Sequence, residues 1–512
     1  MDLAKRRIKK ALAAGAEIIE LRTDYFSDLS VALVEQLIAW ARQAMVRPVP
    51  LIVTCRDQRQ GGVESHPERL RVDVICCAIR AGAEFVDFEY DNFLSTENQE
   101  RIRVALSQTS KSRLILSAHD FESRFADIKK LYRDMLAAAP AAIPKLVYTA
   151  NHINDCFDAL DLLHQTSSER IVFCMGQAGL ISRILTKKLG AFLTFASIDD
   201  QSGTASGQLT IEQLKGLYRF DEIDSETELY GVVADPVGHS LSPAIHNACF
   251  ADKGMNRLYL PLLVEDGKPG FDTFLHNVLL RKWLNFWGFS VTIPHKRNAL
   301  DHVRATGGSV EALAEKIGAV NTLLIEPRGT SDDRRISAYN TDYAGALDAI
   351  TAGMSLARSG LSGLQVAVVG AGGVARAIVA GLADAGANVK IYNRTVKRAE
   401  RLAGDFGCEF AGLDALPGLD AKLLINCTSV GMHPNVDATP VPAEYLNKNV
   451  AVFDTVYNPA KTLLLKQAKK KRAKTIDGIS MFVNQAMAQF KLFTGEGGNR
   501  ELMRRVVLEQ LR

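Results

Sequence analysis

The strongest constraint on the fold is a glycine-rich turn late in the chain, with the sequence Gly370-Ala371-Gly372-Gly373-Val374-Ala375. It follows an apolar run at residues 364–369 and precedes a helical pattern that begins near residue 376. Glycines at such a strand-to-helix turn let the backbone close up on a pyrophosphate, whose charge is stabilised by the N–H groups at the helix start. The turn therefore predicts a doubly wound dinucleotide-binding domain, with an ordinary tight turn as the alternative. Because 369 residues precede it, this domain is only one part of the chain.

The end of the next predicted strand, residues 389–392, indicates which dinucleotide is bound. An NAD-binding domain usually carries an acidic residue there for the ribose 2'-hydroxyl. This chain instead has Asn393, Arg394 and Thr395, followed by Lys397. Guanidinium and ammonium groups suit a 2'-phosphate, which would repel a carboxylate. We therefore predict NADP(H) rather than NAD, the alternative being that these cations are only the solvated first turn of a helix.

The composition excludes several classes of protein. A chain of 512 residues with 47% hydrophobic and 23% charged residues is typical of a globular protein of two to four domains. A net charge of +3 is small for this length and predicts no nucleic-acid partner. No apolar run approaches the length of a membrane span, and the eight cysteines lack C-x-x-C spacing. We therefore expect a cytoplasmic protein with reduced thiols and no metal site.

The first 218 residues alternate between short apolar runs and stretches of helical length. The predicted strands are residues 18–21, 50–55, 85–88, 114–117, 146–149, 171–174 and 192–195. Polar side chains gather where these strands end, namely Arg22, Arg56, His119 and Arg183. This pattern predicts a (β/α)8-type barrel with a site at the carboxyl ends of its strands. Because only seven strands are counted and the chain opens in a helical pattern at residues 4–14, the first barrel strand is predicted to be absent or replaced.

Two side chains of this first half suggest covalent and proton-transfer chemistry. Lys145 lies in a strand that is predicted to line the barrel interior. Because a buried ammonium is costly, we expect its pKa to fall and the free amine to attack a carbonyl. His119 ends the strand one βα unit earlier and can exchange a proton at neutral pH. The alternative is a strand-end lysine that reaches solvent and a histidine that caps a loop.

This half resembles the type I 3-dehydroquinate dehydratases over nearly its whole length. The matching motifs are Glu20-Leu21-Arg22-Thr23-Asp24, Thr54-Cys55-Arg56, Ser117-Ala118-His119-Asp120, Pro144-Lys145, Gly179-Leu180-Ile181-Ser182-Arg183 and Gly207-Gln208. The resemblance implies that Lys145 forms a Schiff base with 3-dehydroquinate, that His119 moves the protons and that water is eliminated to give 3-dehydroshikimate. The residues that it implies for binding the substrate are Glu20, Arg22, Arg56, Arg183, Thr204 and Gln208. The chain departs from the family at Gln60, where an acidic residue is frequent, and at Thr204, where serine is common.

The second half contains a pair of hydroxyl residues, Ser240 and Ser242, just before Pro243. Ser242 as the N-cap of a helix, with Pro243 at the first helical position, is a sufficient structural explanation for that serine. Ser240 is not explained by capping. Two hydroxyls beside a helix N-terminus also suit a carboxylate ligand.

Further motifs of this half resemble those of the shikimate dehydrogenases over residues 229–512. The stretches that carry the resemblance are residues 291–296, 318–322, 340–342, 426–432, 454–459 and 477–485. It implies hydride transfer between NADPH and 3-dehydroshikimate, with Lys296 and Asp342 as the proton-handling pair and Ser240 and Ser242 on the carboxylate. Residues implied around the ring are Thr292, Asn321, Tyr457 and Gln485. Those implied around the cofactor are Gly370, Ala371, Gly372, Gly373, Val374, Ala375, Asn393, Arg394, Thr395, Lys397, Thr428 and Gly478. Ser290 replaces an asparagine that is frequent in the family.

The two resemblances fit consecutive steps, because the product of the first reaction is the substrate of the second. We therefore predict a bifunctional shikimate-pathway enzyme in the domain order of plant proteins. The predicted boundaries are a dehydratase barrel at 1–220, a polar linker at 221–228, a substrate domain at 229–342 completed by 475–512, and an NADP domain at 343–474. Four alternatives remain: a quinate- or shikimate-sensing regulator without activity, a class I aldolase in the first half, a dehydrogenase beside an impaired dehydratase, and quinate as the preferred second substrate.

Overall fold

A computed structural model describes residues 2–45, 47–199, 207–238, 240–265, 267–327 and 334–511. The chain divides into two compact units, residues 1–227 with 262–265 and residues 228–261 with 266–512. Within the described ranges, no helix combines the length and the apolar character needed to cross a membrane. The predicted domain boundaries remain predictions.

The first unit is built on a six-stranded parallel sheet whose strands follow one another in chain order. The strands are β1 (Ile19–Arg22), β2 (Leu51–Thr54), β3 (Phe85–Glu89), β4 (Arg113–Asp120), β5 (Ile143–Thr149) and β6 (Ile171–Met175). The helices are α1 (Asp2–Ala13), α2 (Val31–Ala44), α3 (Glu68–Arg80), α4 (Tyr90–Phe93), α5 (Thr96–Ser107), α6 (Ile128–Ala138), α7 (Cys156–Gln165) and α8 (Leu180–Ile184). Parallel neighbours need a crossover connection, which the helices provide. The predicted barrel-type α/β fold is confirmed, in the form of a parallel half-barrel.

The predicted seventh strand at residues 192–195 is wrong. The amide of Phe192 donates to the carbonyl of Arg170 over 2.8 Å, but residues 193–195 form no strand. Instead, the ring of Phe192 packs against Phe85 with centroids 5.3 Å apart, and the ring of Phe195 lies 6.0 Å from that of Phe173. The apolar pattern here therefore reflects burial of aromatic rings rather than ladder hydrogen bonds.

The amino-terminal edge of this sheet is β1. Among the described residues no strand precedes it, and the predicted helical opening is present as α1.

The second unit contains two sheets of six strands each. The first is mixed and has the order β10-β12-β11-β9-β7-β8. Its strands are β7 (Glu228–Ala234), β8 (Arg257–Leu263), β9 (Phe286–Val291), β10 (Ser309–Val310), β11 (Thr322–Pro327) and β12 (Arg334–Tyr339). The helices that accompany it are α9 (Ser242–Asp252), α10 (Gly267–Leu280), α11 (Lys296–Ala305), α12 (Ala312–Ile317) and α13 (Thr341–Met354).

The second sheet of this unit is parallel, with the order β15-β14-β13-β16-β17-β18. Its strands are β13 (Gln365–Val369), β14 (Asn388–Tyr392), β15 (Glu409–Ala411), β16 (Leu423–Asn426), β17 (Ala451–Asp454) and β18 (Thr475–Ile476). The helices are α14 (Gly373–Asp384), α15 (Val396–Phe406), α16 (Leu463–Lys470), α17 (Gly478–Thr494) and α18 (Arg500–Gln510). This strand order is that of a doubly wound dinucleotide fold, so the predicted Rossmann domain is confirmed.

The long helix α17 joins the two halves of the second unit. It packs on α13 so closely that a Cβ added at Gly345 would lie 2.8 Å from the amide nitrogen of Gln485. At its other end Phe493 packs against Tyr230 of β7, with ring centroids 5.1 Å apart. A side chain on α17 can therefore contact groups of the mixed sheet as well as the start of α13.

An aromatic cluster in this packing encloses a histidine. His246 of α9 is fully buried and stacks on Tyr259, with ring centroids 4.4 Å apart, and on Phe490 of α17. Burial lowers the pKa of His246 to about 3, because an imidazolium there would be removed from water. Below pH 6.5 His246 therefore binds a proton in the unfolded chain but not in the folded one, so the free energy of unfolding falls as the pH falls.

Replacing His246 by phenylalanine should remove this acid sensitivity. Between pH 6.5 and 5, one such group costs the folded state about 2 kcal/mol. We expect the free energy of unfolding of the wild type to drop by that much more than that of H246F, measured by urea unfolding of the second unit at pH 7 and pH 5. The same change at His276, which is exposed, should leave the pH dependence as it is. Equal losses in H246F and the wild type would contradict the prediction.

Candidate active sites

In the first unit, neighbouring strands bring polar side chains together at one level of the sheet. The register places Glu89 beside Ser117 and Ser117 beside Lys145. Asp87 lies two residues before Glu89 on β3, so both side chains point to the same face. All four are buried, although the surrounding strands are apolar. A set of buried polar groups on adjacent strands is typical of a reaction site rather than of a core.

Lys145 is the centre of this set. Its side chain is only 6% exposed, and its ammonium donates to a carboxylate oxygen of Asp87 over 2.8 Å. The same nitrogen lies 4.4 Å from the centre of the Phe195 ring. The predicted placement of Lys145 in the interior is therefore found, and its partner is an acid 58 residues earlier in the chain.

Arg56 completes an ion network around the lysine. Its guanidinium contacts Asp87 at 2.9 Å and Glu89 at 3.0 Å, and it donates to the hydroxyl of Ser117 over 2.7 Å. Burial alone raises the pKa of Asp87, but Arg56 and Lys145 outweigh it and hold that pKa well below its ordinary value. Asp87 is therefore a fixed negative charge between two cations.

His119 lies next to this network on β4. Its backbone N–H donates to Oε1 of Gln60 over 3.1 Å, and its Nδ1 lies 3.2 Å from the same oxygen. Removal from water, followed by the charges of Arg56 and Lys145, holds the pKa of His119 well below 6.5. The ring is therefore neutral at physiological pH and can accept a proton.

The remaining residues predicted for this site have different hydrogen-bond partners or neighbours. Thr54 donates to Glu20 over 2.7 Å, and Arg22 makes a double contact with Asp24 at 2.8 and 2.7 Å. Gln208 follows Gly207, at which an added Cβ would lie 2.3 Å from the carbonyl oxygen of Gly176 just after β6. Thr204 lies outside the described residues.

Arg183 on α8 has spare hydrogen-bonding capacity. Its side chain is buried over the face of Phe173, at 4.6 Å, and two of its nitrogens, Nε and Nη2, have no partner among the described residues. Burial lowers the pKa of Arg183 to about 10. A buried guanidinium with free donors suits an anionic ligand, because a carboxylate would satisfy both nitrogens.

In the second unit, the predicted proton-handling pair is in contact. Nζ of Lys296, the first residue of α11, lies 2.5 Å from Oδ2 of Asp342 near the start of α13. Asn321 donates to the other oxygen of that carboxylate over 2.9 Å. The side chain of Asn340 caps α13 by accepting from the amide of Asp342 over 3.1 Å. Asn321 therefore holds the carboxylate of Asp342 and Asn340 holds its backbone, while the other carboxylate oxygen contacts the Lys296 ammonium.

The predicted helix cap at Ser242 is wrong by one position. Helix α9 begins at Ser242 itself, so Pro243 is its second residue, and the hydroxyl of Ser240 accepts from the amide of Ser242 over 3.3 Å. Leu241 is the N-cap residue, and no side chain caps the helix. This leaves the Ser242 hydroxyl to interact with Tyr259 of β8.

A chain of hydrogen bonds continues from Tyr259 to Asp342 of the predicted proton-handling pair. Tyr259 donates to Ser290 over 2.5 Å, and Ser290 donates to Gln489 over 2.7 Å. Gln489 then donates to the carbonyl of Asn321 over 3.2 Å, and Asn321 holds Asp342. Ser290, which replaces the asparagine frequent in the family, therefore uses its hydroxyl to link the buried side chains of Tyr259 and Gln489.

The other residues predicted around the ring lie at the edges of this region. Thr292 follows β9, and its amide donates to Val233 of β7 over 3.1 Å. Tyr457 stacks on Phe482 with centroids 4.9 Å apart, and burial raises the pKa of its hydroxyl. Gln485 is buried on α17, where its amide donates to the carbonyl of Phe482 over 3.0 Å.

The glycine turn has the geometry that a bound dinucleotide requires. Gly370 has a φ of +116°, and a Cβ there would lie 3.0 Å from the carbonyl oxygen of Cys427. Gly372 and Gly373 face open space, and α14 begins with no side-chain cap. Ala371 lies in the turn itself. Val374 and Ala375 follow in the first turn of α14, where no side chain caps the backbone amides. These residues fit a pyrophosphate group.

Beyond β14, the residues predicted for the 2'-phosphate are mostly solvent-exposed. Asn393 donates to the carbonyl of Thr395 over 2.9 Å, and Thr395 precedes α15 without capping it through its side chain. Arg394 and Lys397 are exposed, and no described carboxylate pairs with either. Their charges are therefore available to an anion, and the residues present fit NADP(H).

Two further residues predicted for the cofactor lie just after strand ends. The amide and hydroxyl of Thr428 both donate to Asn426 at the end of β16, over 2.9 and 2.7 Å. Gly478 opens α17, and a Cβ there would lie 2.4 Å from the carbonyl oxygen of Val456. Both therefore sit at the carboxyl edge of the parallel sheet, as the fold requires for a ligand.

Family models match most of the chain. The type I 3-dehydroquinase model matches residues 1–225, and the shikimate dehydrogenase substrate binding domain matches residues 232–323. The shikimate / quinate 5-dehydrogenase model matches residues 354–433, and the shikimate 5'-dehydrogenase C-terminal domain matches residues 478–508.

A relative from Arabidopsis thaliana spans both halves. It is the chloroplastic bifunctional 3-dehydroquinate dehydratase/shikimate dehydrogenase, which is 34% identical over 96% of this chain and 80% of its own length. The chain belongs to this bifunctional family. The predicted fusion of a dehydratase and a dehydrogenase is thereby confirmed.

The dehydrogenase half also has separate relatives. The NADP(+) shikimate dehydrogenase of Methanosarcina acetivorans is 42% identical over 55% of this chain and 98% of its own length. Among solved structures, shikimate 5-dehydrogenase from Thermus thermophilus, in complex with NADP(H) and shikimate, is 33% identical, with a TM-score of 0.48 over 56% of this chain and 100% of that one.

Sequence reasoning missed several residues of the bifunctional enzyme that hold the predicted ones. Asp87 lay inside the predicted strand 85–88 and Glu89 directly after it, and their spacing of two at an apolar run was the available signal. Gln489 follows Gln485 by one helical turn, so it lies on the same face of α17. For Tyr259 the sequence offers no signal, because its role depends on the packing of β8 against Ser290.

Proposed function

We propose that Lys145 forms the Schiff base with the ketone of 3-dehydroquinate and that His119 moves the protons of the elimination. The observation that supports this most directly is the buried Lys145 ammonium, held 2.8 Å from Asp87 beside a neutral His119. The amine adds to the carbonyl carbon and water leaves, which gives an iminium. The iminium withdraws electrons, so that His119 can remove a proton from the adjacent carbon.

The second step releases the product. As the carbon–carbon double bond forms, the hydroxyl on the next carbon leaves, and it takes a proton from the His119 imidazolium to depart as water. Hydrolysis of the iminium then returns the free Lys145 and gives 3-dehydroshikimate. Arg183 pairs with the substrate carboxylate through its free Nε and Nη2 donors, while Glu20, Arg22, Arg56, Thr204 and Gln208 bind hydroxyls or complete the wall of the site.

In the second unit, Lys296 donates the proton to the oxygen of the 3-dehydroshikimate ketone during reduction to shikimate. NADPH, when bound at the turn of residues 370–375, supplies the hydride. Asp342 keeps the Lys296 ammonium oriented, and Asn321 keeps the Asp342 carboxylate in place. Ser240 and Ser242 bind the carboxylate of the substrate, while Thr292, Tyr457 and Gln485 surround its ring.

The 2'-phosphate of NADPH is proposed to lie against Arg394, with Asn393, Thr395 and Lys397 beside it. Replacing Arg394 by aspartate should therefore shift the ratio of kcat/KM for NADPH over NADH by about 10- to 100-fold towards NADH, the equivalent of one charged hydrogen-bonded contact. R401D changes the net charge equally at an exposed position further along α15, and it should leave the ratio unchanged. An unaltered ratio in R394D would assign recognition of the phosphate to other residues.

A coupled assay tests the two activities together. Purified protein is mixed with 3-dehydroquinate and NADPH, and the cofactor absorbance is followed alongside the ultraviolet absorbance of the enone product. Consumption of NADPH from 3-dehydroquinate requires both sites to work in sequence. If NADPH is consumed only when 3-dehydroshikimate is added, the proposed dehydratase chemistry fails while the dehydrogenase chemistry stands.

A further inference from the structure

The start of helix α13, which carries Asp342, is held by a carboxylate for which the proposed reaction has no role. Glu311 lies just before α12, 29 residues ahead of Asn340. Its Oε2 accepts from the backbone N–H of Asn340 over 3.1 Å, and its Oε1 accepts from the hydroxyl of Tyr343 over 2.5 Å. These two partners flank Asp342 along the chain. One carboxylate therefore bridges the segment that contains the partner of Lys296.

The local structure around Glu311 does not explain where its side chain points. Glu311 occupies the N-cap position of α12, but its side chain makes no capping hydrogen bond to that helix. Glutamate is not one of the residues that favour an N-cap, which are serine, threonine, aspartate and asparagine. Because both oxygens of the carboxylate bond to the start of α13, the side chain supports α13 rather than its own helix.

The hydrogen bond to Asn340 extends to the proposed proton-handling pair. The side chain of Asn340 is buried, accepts from the amide of Asp342 over 3.1 Å and donates to the carbonyl of Ala319 over 3.0 Å. A shift of the Asn340 backbone would therefore displace the amide of Asp342. With it would move the carboxylate that lies 2.5 Å from Nζ of Lys296.

The hydrogen bond to Tyr343 extends to the dinucleotide fold. Tyr343 packs against α14, where a Cβ added at Gly381 would lie 3.2 Å from Cβ of Tyr343 and 3.3 Å from its ring. Burial, followed by the hydrogen bond to Glu311, raises the pKa of Tyr343, so the hydroxyl keeps the hydrogen that it donates. Because α14 begins at the turn of residues 370–375, Tyr343 connects the Glu311 carboxylate to the helix that is expected to receive the cofactor.

We propose that Glu311 and Tyr343 are positioning residues of the dehydrogenase, which hold Asp342, and through it the Lys296 ammonium, in a fixed place relative to α14. This inference rests on the proposed roles of Lys296 and Asp342 and extends them to two residues that act through others. A displacement of about 1 Å among reacting groups can cost about 100-fold in rate. Loss of the Glu311 carboxylate should therefore slow the reduction without weakening the binding of 3-dehydroshikimate or NADPH.

The main test measures the first turnover of E311M. Enzyme loaded with NADPH is mixed with 3-dehydroshikimate, and the loss of cofactor absorbance gives a rate constant and an amplitude. Methionine keeps the length of the side chain but accepts no strong hydrogen bond, so the rate constant should fall about 10- to 100-fold, with KM for both substrates changed less than about threefold. E311Q keeps an oxygen for the N–H of Asn340 and can donate to the oxygen of Tyr343, so it should react within about threefold of the wild type.

The amplitude separates positioning from stability. If Glu311 only stabilised the fold, E311M would contain fewer active molecules, which lowers the amplitude, but those molecules would react with the wild-type rate constant. Y343F, which removes only the hydroxyl, should lower the rate constant about 10-fold at an unchanged amplitude. Y445F removes a hydroxyl from another partly buried tyrosine of the dinucleotide fold and should react as the wild type does.

A double-mutant cycle with D342N tests whether Glu311 acts through Asp342. In the D342N background E311M should cost less than about threefold, because the charge that Glu311 keeps in place is already absent. An equal loss in both backgrounds, or a wild-type rate constant in E311M, would overturn the inference. If instead D342N reduces 3-dehydroshikimate at the wild-type rate, the proposed role of Asp342 is what fails.

Discussion

The K145A variant is expected to lose dehydration of 3-dehydroquinate by about 10⁴-fold or more, because no other described amine lies in the buried ion network of that site. Borohydride should also fail to trap the substrate on the protein, since trapping requires an iminium on a lysine. The fold should survive the change, because Asp87 keeps Arg56 and Ser117 as partners and is not left as an unpaired buried charge. Retained shikimate dehydrogenase activity and an unchanged melting profile would show this.

Lys188 provides a matched control for that experiment. Among the described residues of the first unit it is the other buried lysine, and its ammonium donates to the carbonyl of Thr227 over 2.8 Å and to that of Ser225. K188M also removes a buried ammonium, but the substrate should still be trapped on Lys145. Trapping that persists in K145A at the wild-type extent would rule out the Schiff-base assignment.

The sequence was sufficient to predict the strands of the first sheet and the position of the dinucleotide fold. Alternating apolar runs located all six strands of the first sheet, and the turn at Gly370 located the start of the dinucleotide fold. Both signals are local, because strand burial and glycine conformations depend on a few consecutive residues. Residues 192–195 show the limit, since an apolar run that buries Phe192 and Phe195 looks like a strand whether or not its backbone is paired.

The candidate sites were predictable where a motif carries the functional group itself, as at Lys145 and Lys296. They were not predictable where one residue holds another across the fold. Asp87 reaches Lys145 over 58 positions, and Gln489 reaches Asn321 over 168. Such pairs depend on which strands become neighbours and on which face each side chain points to, neither of which a single motif contains. The error at Ser242 has a smaller cause: the helix begins one residue earlier than predicted, so that Leu241, which cannot cap through its side chain, is the N-cap residue.

The two sites use different means to hold a lysine in place. Lys145 belongs to a buried ion network in which Asp87 and Glu89 face Arg56. Lys296 is partly exposed and contacts one carboxylate, which is itself held by the amide of Asn321 and the cap at Asn340. A lysine that becomes a covalent link needs to be removed from water, whereas one that donates a proton needs a defined direction. The surroundings match the roles proposed for them.

The K296A variant should therefore lower kcat for reduction of 3-dehydroshikimate by about 10³-fold, the usual contribution of a positioned proton donor. The affinity for NADPH should change little, because the residues that fit the cofactor lie at the turn of residues 370–375 and beyond β14. D342N tests the second member of the pair: it keeps the shape and the contact with Asn321 but removes the charge that orients the ammonium, so kcat should fall by a smaller factor. K316A removes an exposed lysine of the same unit that lies 3.9 Å from Asp384, and it should behave as the wild type. Steady-state rates with NADPH titrations separate kcat from cofactor binding, and a K296A enzyme with the wild-type kcat would exclude Lys296 as the proton donor.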